Sequence, residues 1–331
     1  MLSRNDFNQE RNAMKKLRFG ILSTSSIAPR FIKGVRAAKS CEASALASRN
    51  LEKAQEKAAL WNVPKAYGSY EELLRSNEID AAYVAMINSA HYRYAKMALE
   101  QGKHVLCEKP FTLSVQESRE LFALAREKGL FIMEAQKVLF LPVVQKLKEL
   151  IRSGSFGAIR MADFSSSFDP GYNTWFFDAE KGGGPLYGNA IYSLQLMQYL
   201  FDCRVTDWSG LCTKSQARVE NQFSLSLLME NGLLFTNKTS TAVTTAHTGY
   251  LYGENGYIEI PDYWKARKAI LHYPGQEPVI LEYPCEHELM YEVLHVEQCI
   301  RKGLTESPLM TEDMTVNAIK VLNAIQKMWF S

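Results

Sequence analysis

The residues best suited to chemistry in this 331-residue chain are Glu108, Lys109 and Pro110, which follow directly on an apolar β-like run at 103–107. A charged pair at the carboxyl end of such a strand stands where open α/β sheets bind ligands. An ammonium there can stabilise the negative charge that develops on an oxygen when a hydride reaches a carbonyl. Beside a cationic ring its pKa would fall, and in the reverse direction it could serve as a base. Two other segments suit anions. The run Leu17–Leu22 leads through Ser23, Thr24, Ser25, Ser26 and Ile27 into a helical stretch. The free N–H groups and partial positive charge of a helix start favour a pyrophosphate at that place. Ser23 and Ser25 stand where a G-x-G-x-x-G/A spacing has its first two glycines, and Ala28 fits the third, so hydroxyl donors replace open backbone. Taken alone, this segment reads equally well as a serine-rich helix cap with no ligand. The second strand run ends in Ser48 and Arg49. An acidic residue there would bind a ribose 2′-hydroxyl and repel a 2′-phosphate, whereas a serine and an arginine suit the phosphate, so NADP is favoured over NAD.

The elements that must position these residues show in the hydrophobic pattern. From 17 to about 133, short apolar runs at Leu17–Leu22, 43–47, 81–85, 103–107 and 130–133 alternate with helical stretches, as in βα units of a parallel sheet. The clearest helix spans 51–61, with Leu51, Ala54, Ala58 and Trp61 at helical spacing, and 114–128 reads as its partner over the sheet. After a helix at 143–151 the pattern changes to β-like runs at 159–168, 205–211, 223–229, 233–239 and 257–261, with one helical interruption near 190–200. Asn231-Gly232 and Asn255-Gly256 mark hairpin turns. Helices at 288–302 and 312–329 close the chain. The expectation is an α/β Rossmann domain at 17–134 and an α+β domain with an open, mainly antiparallel sheet at 135–331, its closing helices packing back on the first, after a disordered tail at 1–16.

At this point the chain resembles a known family. Glu108-Lys109-Pro110, preceded by Asn88-Ser89-Ala90-His91, is similar to the glucose-fructose oxidoreductase and inositol dehydrogenase (Gfo/Idh/MocA) family, as are Ala47-Ser48-Arg49-Asn50-Leu51, Lys65-Ala66-Tyr67-Gly68-Ser69-Tyr70, Gly182-Gly183-Gly184, Gly256-Tyr257-Ile258-Glu259-Ile260-Pro261 and Glu306-Ser307-Pro308-Leu309-Met310. Within it the pattern resembles the dimeric dihydrodiol dehydrogenases, which are NADP-linked. The resemblance implies hydride transfer between a nicotinamide and a sugar, polyol, diol or related carbonyl compound. It implies that Lys109 hydrogen-bonds the substrate oxygen, that the Lys109–Pro110 bond is cis, and that Glu108, Ile87, Asn88, His91 and Gln136 lie along the cofactor. Glu134 and Gln136 equally suit a cap at the domain junction. A helix after the Gly-rich turn carries Asp-x-x-x-His or Asp-x-x-x-Tyr in the family. Here Tyr192 holds the second place as a proton donor, but Gly188 stands where the aspartate belongs and Asn189 offers a neutral hydrogen bond. Trp175 and Phe176 are candidates to line a pocket for a ring substrate, and equally for packing. The competing reading is a non-catalytic dinucleotide-binding sensor, motivated by Ser23, Ser25 and Gly188; a third keeps the cofactor but uses it transiently.

The remaining composition excludes other classes. A net charge of +2, with 38 basic and 36 acidic residues, gives no argument for nucleic acid or an anionic membrane. The six cysteines form no C-x-x-C pair, and His247 and His295 lack ligand spacing, so neither a metal nor a disulfide framework is expected and a reducing cytoplasm fits. No apolar run approaches the ~20 residues of a membrane helix. A homodimer or homotetramer through the second-domain sheet is the expected assembly.

Overall fold

The computed structural model of the protein describes residues 15–171, 174–214 and 219–331; the tail expected at 1–16 lies almost wholly outside them. Six parallel strands form the first sheet: β1 (Leu17–Leu22), β2 (Cys41–Ala47), β3 (Lys65–Tyr67), β4 (Ala81–Val84), β5 (His104–Glu108) and β6 (Ile132–Ala135). Their order is β3-β2-β1-β4-β5-β6, which reverses direction between β1 and β4 and opens a crevice at their carboxyl ends. The strands are apolar because helices cover both faces; every residue of β4 and β6 is buried. Only β3 escapes the sequence pattern, since three partly exposed residues carry no periodicity.

Between the strands lie α1 (Ala28–Ala37), α2 (Leu51–Leu60), α3 (Tyr70–Arg75), α4 (His91–Glu100) and α5 (Val115–Lys128). Local chemistry sets their ends. Asn50, Ser69 and Ser114 each accept the N–H three residues on, and Gly129, at φ +63°, stops α5 in the left-handed conformation.

Beyond α6 (Pro142–Arg152), an eight-stranded sheet gathers β7 (Ile159–Ser167), β8 (Val205–Lys214), β9 (Glu220–Met229), β10 (Leu234–Ser240), β11 (Thr248–Gly253), β12 (Gly256–Pro261), β13 (Lys268–His272) and β14 (Val279–Glu282) in the order β14-β13-β12-β11-β7-β10-β9-β8. All neighbours are antiparallel except β10 and β7. The sheet is therefore mixed, and it holds three strands, β11, β13 and β14, that the sequence pattern did not resolve. The turns at Gly232 (φ +81°) and Gly256 (φ +141°) need a residue without Cβ.

One face of this sheet packs on α7 (Ile191–Phe201) and α9 (Glu312–Phe330). The other is open. The helix α8 (Leu289–Arg301) lies against α1, and α9 reaches α5, so the two sheets share one continuous core.

Candidate active site

The crevice at the carboxyl edge of the six-stranded sheet holds a cavity of about 490 Å³ walled by Ser23, Ser25, Ser26, Ile27, Ile87, Asn88, Glu108, Lys109, Trp175 and Tyr192 among others. β5 delivers Glu108 and Lys109, and the Lys109–Pro110 bond is cis. Glu108 accepts a hydrogen bond from the Tyr83 hydroxyl, with its other oxygen 3.2 Å from the Lys109 amide.

The Lys109 ammonium donates to the Gly188 carbonyl at 2.6 Å and stands 4.5 Å from the centre of the Tyr192 ring. Gly188 lies within a π-helical turn, Leu186–Ala190, at the start of α7. A backbone dipole thus takes the place of the carboxylate that the family pattern puts at 188. A Cβ at Gly188 would lie 3.2 Å from the Phe176 ring, so the packing leaves little room for a side chain. Burial lowers the Lys109 pKa to about 8, with Lys137 adding to the fall and Glu108 and Glu134 opposing it. Tyr192 is pushed the other way, well above the ordinary phenol range, chiefly by burial, so its hydroxyl remains a donor at any working pH.

Beneath this pair, Glu134 is fully buried and accepts three hydrogen bonds: from the Phe111 amide at 2.9 Å, Gln195 Nε2 at 2.6 Å and Thr315 Oγ1 at 2.9 Å. It joins the chain just after Lys109-Pro110, the helix that carries Tyr192, and α9. Burial raises its pKa to about 7.

A second cavity, about 500 Å³, adjoins the first through Ser23, Ser25, Met86 and Ile87 and continues past Thr24, Ser48 and Arg49. Its wall also includes Lys53, Tyr70, Arg93 and Tyr94. The Tyr70 and Tyr94 rings meet edge-on at 4.9 Å, with the Arg93 guanidinium 5.3 Å from Tyr94. Between the cavities, Ser23 Oγ accepts the Ser25 amide at 2.9 Å, while Ser25 Oγ is buried with no partner among the described residues. An orphaned hydroxyl at a helix start, with cations at one end and a lysine at the other, fits a dinucleotide with its pyrophosphate at the serine turn.

Four residues expected at the site lie away from the cavity walls. His91 is fully enclosed, its ring nitrogens 2.8 Å from the Pro110 carbonyl and 3.1 Å from that of Met86, and it braces the turn rather than facing a ligand. Gln136, just past the end of β6, points inward to Gln195. Asn189 donates to Ser166 Oγ at 2.5 Å, and Phe176 packs edge-on to Phe168 behind Trp175. In turn, Arg30, Lys137, Leu289 and Glu292 join the wall without any motif to announce them.

Comparison with known proteins agrees with this fold. Residues 17–136 match the model of an oxidoreductase family with an NAD-binding Rossmann fold, and 144–259 match a GFO/IDH/MocA C-terminal domain. The chain is 32% identical over 303 residues to trans-1,2-dihydrobenzene-1,2-diol dehydrogenase of Mus musculus, covering 89% of this chain and 91% of that one. Its fold is similar to that of aldose-aldose oxidoreductase from Caulobacter crescentus, with a TM-score of 0.84, 23% identity and coverage of 95% and 97%. A 3-ketoreductase from Actinomadura kijaniata in complex with NADP and TDP-benzene gives a TM-score of 0.84 at 21% identity, covering 95% and 98%. Both layers, the crevice and the Glu-Lys-Pro edge therefore belong together: the chain is a member of the Gfo/Idh/MocA family, an NAD(P)-dependent oxidoreductase acting on CH–OH groups.

Proposed function

We propose that the protein transfers a hydride between NADP(H) and a sugar, polyol, diol or related carbonyl compound, with Lys109 and Tyr192 at the reacting oxygen. The observation that carries this reading is the Lys109 ammonium, fixed by the Gly188 carbonyl beside the Tyr192 ring at the edge of the dinucleotide crevice. The diol dehydrogenase relative and the NADP-bound ketoreductase fold support the chemistry. Ser23, Ser25, Ser26 and Ile27 would hold the pyrophosphate, and Ile87, Asn88 and Glu108 the nicotinamide half. Ser48 and Arg49, with Lys53 and Arg93 beside them, would take the 2′-phosphate.

When bound, the nicotinamide supplies or accepts the hydride. In reduction, the Lys109 ammonium and the Tyr192 hydroxyl both donate to the carbonyl oxygen and stabilise the growing alkoxide. Lys109, whose pKa burial lowers to about 8, then passes its proton to that oxygen; in oxidation the neutral amine removes it. Tyr192, which stays protonated, orients the oxygen throughout. The Gly188 carbonyl gives Lys109 a neutral partner at the position where the family pattern has an aspartate, which supports the catalytic reading over a purely sensory one.

The assembly we propose is a homodimer or homotetramer through the open face of the eight-stranded sheet. Leu228, Leu234, Met161, Tyr252 and Tyr257 are successive register partners across five strands, so they share that face. Exposures of 41% at Leu234 and 48% at Met161 are those of an apolar stripe in need of a cover.

Fluorescence titration with NADPH and NADH, followed by a panel of carbonyl compounds, tests the activity. Tighter binding of NADPH and its oxidation by at least one hydroxylated carbonyl are expected. Binding without oxidation by any compound would contradict the reading.

A further inference from the structure

Past Tyr192 the crevice holds a buried cation that the proposed hydride transfer does not use. Lys137 opens the turn that follows β6, is 7% exposed, and lines the cavity with Arg30, Lys109 and Tyr192. Its ammonium stands 5.6 Å from the centre of the Tyr192 ring, the ring that the Lys109 ammonium meets at 4.5 Å. The two lysines therefore share one side chain of the reaction site. Lys109 has the Gly188 carbonyl as a partner. Lys137 makes no hydrogen bond or ion pair with any described residue, and the packing around it does not seal its nitrogen, so the cavity is what it meets.

The nearby acids do not answer it. Glu288 is paired with Arg30. Glu108 accepts the Tyr83 hydroxyl and lies against the Lys109 amide. Both carboxyl oxygens of Glu292 are sealed without a partner among the described residues, and burial lifts this carboxyl well above the ordinary range, so it retains its proton. With Glu292 neutral, the cations Arg30, Lys109 and Lys137 outnumber the anions Glu108 and Glu288 by one, and the unmatched charge sits on Lys137. Burial already depresses that ammonium. A buried cation without a counter-ion is costly, and an anion brought in by a ligand offsets the cost. A single unmatched charge suits a carboxylate better than a doubly charged phosphate, and a carboxylate accepts from an ammonium more strongly than a neutral oxygen does.

We propose that Lys137 is a carboxylate anchor: it holds the acid group of a hydroxy acid, or of the corresponding oxo acid, while the reacting oxygen of the same molecule lies at Lys109 and Tyr192. The inference rests on the oxidoreductase reading above and narrows its substrates to sugar acids and other hydroxy acids. In oxidation the hydroxyl-bearing carbon gives its hydride to NADP+ and the hydroxyl proton goes to Lys109; the carboxylate is bound and unchanged. A neutral molecule of the same shape still fits, but it leaves the Lys137 charge unpaired, and the site discriminates against it on that ground.

Pairs of compounds that differ only by a carboxylate in place of a hydroxymethyl group read this preference with the full-length protein and NADP+: D-glucuronate against D-glucose, D-galacturonate against D-galactose, and glycerate against glycerol. In the pair that turns over fastest, wild type is expected to favour the acid by roughly 10- to 100-fold in kcat/KM, the worth of one charge-assisted hydrogen bond. K137M and K137Q, the second of which keeps a donor without the charge, are expected to cut that ratio at least tenfold, mainly through KM, with the Kd for NADPH within twofold of wild type. Binding needs no turnover. Quenching of the fluorescence of bound NADPH should show the acid of at least one pair binding more tightly than its neutral partner in wild type, and equally in both variants.

A neutral preference in every pair, an acid preference that survives in K137Q, or an equal loss for both members of a pair would overturn the anchor and leave the oxidoreductase reading intact. So would a loss of NADPH affinity, which would give Lys137 to the cofactor. Better use of D-glucose 6-phosphate than of D-glucuronate would overturn the match to a single charge. If no compound turns over, even across the wider carbonyl panel, the oxidoreductase reading falls, and the binding titration still decides for or against the anchor. Should K137M fail to fold, K137Q carries the same comparison.

Discussion

A lysine held at about 8 by burial changes charge within the working range of an enzyme, and that fixes the sign of its pH dependence. Oxidation of the alcohol needs the neutral amine, so kcat/KM in that direction should rise with pH and level off above about 8; carbonyl reduction needs the ammonium and should fall over the same interval. Steady-state profiles in the two directions check this, and parallel profiles would contradict it. Arg49 makes a second residue-scale prediction. It lines the outer cavity beside Ser48 and makes no ion pair or hydrogen bond with a described residue that would compete with a 2′-phosphate. R49A should weaken NADPH by roughly 10- to 100-fold, the worth of one or two charge-assisted hydrogen bonds, with little change for NADH. Equal losses for both cofactors would mean that Arg49 serves only packing. Lys109, Glu108 and the serine turn were legible in the sequence because each follows an apolar strand at a fixed offset. Lys137 and Glu292 were not, because nothing local marks them and 155 positions of chain separate them before folding brings both to one wall.

At the scale of elements, the relation between Lys109 and Tyr192 is set by Glu134, which ties the end of β5, α7 and α9 through its three accepted hydrogen bonds. E134Q removes a negative charge that supports the Lys109 ammonium, so the midpoint of the oxidation profile should move below that of wild type. It should also change stability in a definite window. The folded Glu134 holds its proton up to about 7 against an ordinary value of 4.5, so its contribution is present at low pH and is lost as pH rises between those values. Melting curves across that window should show wild type losing ground to E134Q as pH increases, and a pH-independent difference would contradict the assignment. The sequence placed Glu134 and Gln136 together at the end of the last Rossmann strand, equally suited to lie near the nicotinamide or to cap the domain junction. Strand alternation puts them on the same side, and both side chains go inward to Gln195. Short edge strands such as β3 and β14 were illegible for a related reason: they are held by neighbours rather than by their own pattern.

For the whole molecule, two sheets meet along one core, and the alternation of βα units followed by hairpins was enough to anticipate both. The parallel pairing of β10 with β7 was not, because strand direction depends on how the intervening chain returns rather than on composition. The outer face of the eight-stranded sheet bears on assembly. Charge placed in its apolar stripe, as in M161K with L234K, should convert a dimer or tetramer to a monomer by light scattering while leaving NADPH binding in place; an unchanged mass would remove that face as the interface. In the proposed function, the crevice and the serine turn serve one event at Lys109. Stopped-flow oxidation of bound NADPH by a carbonyl that wild type reduces, repeated with K109A, measures that event directly. The account predicts a fall of roughly 10²- to 10⁴-fold in the single-turnover rate, with NADPH affinity and melting temperature near those of wild type; a K109A rate equal to wild type would contradict it.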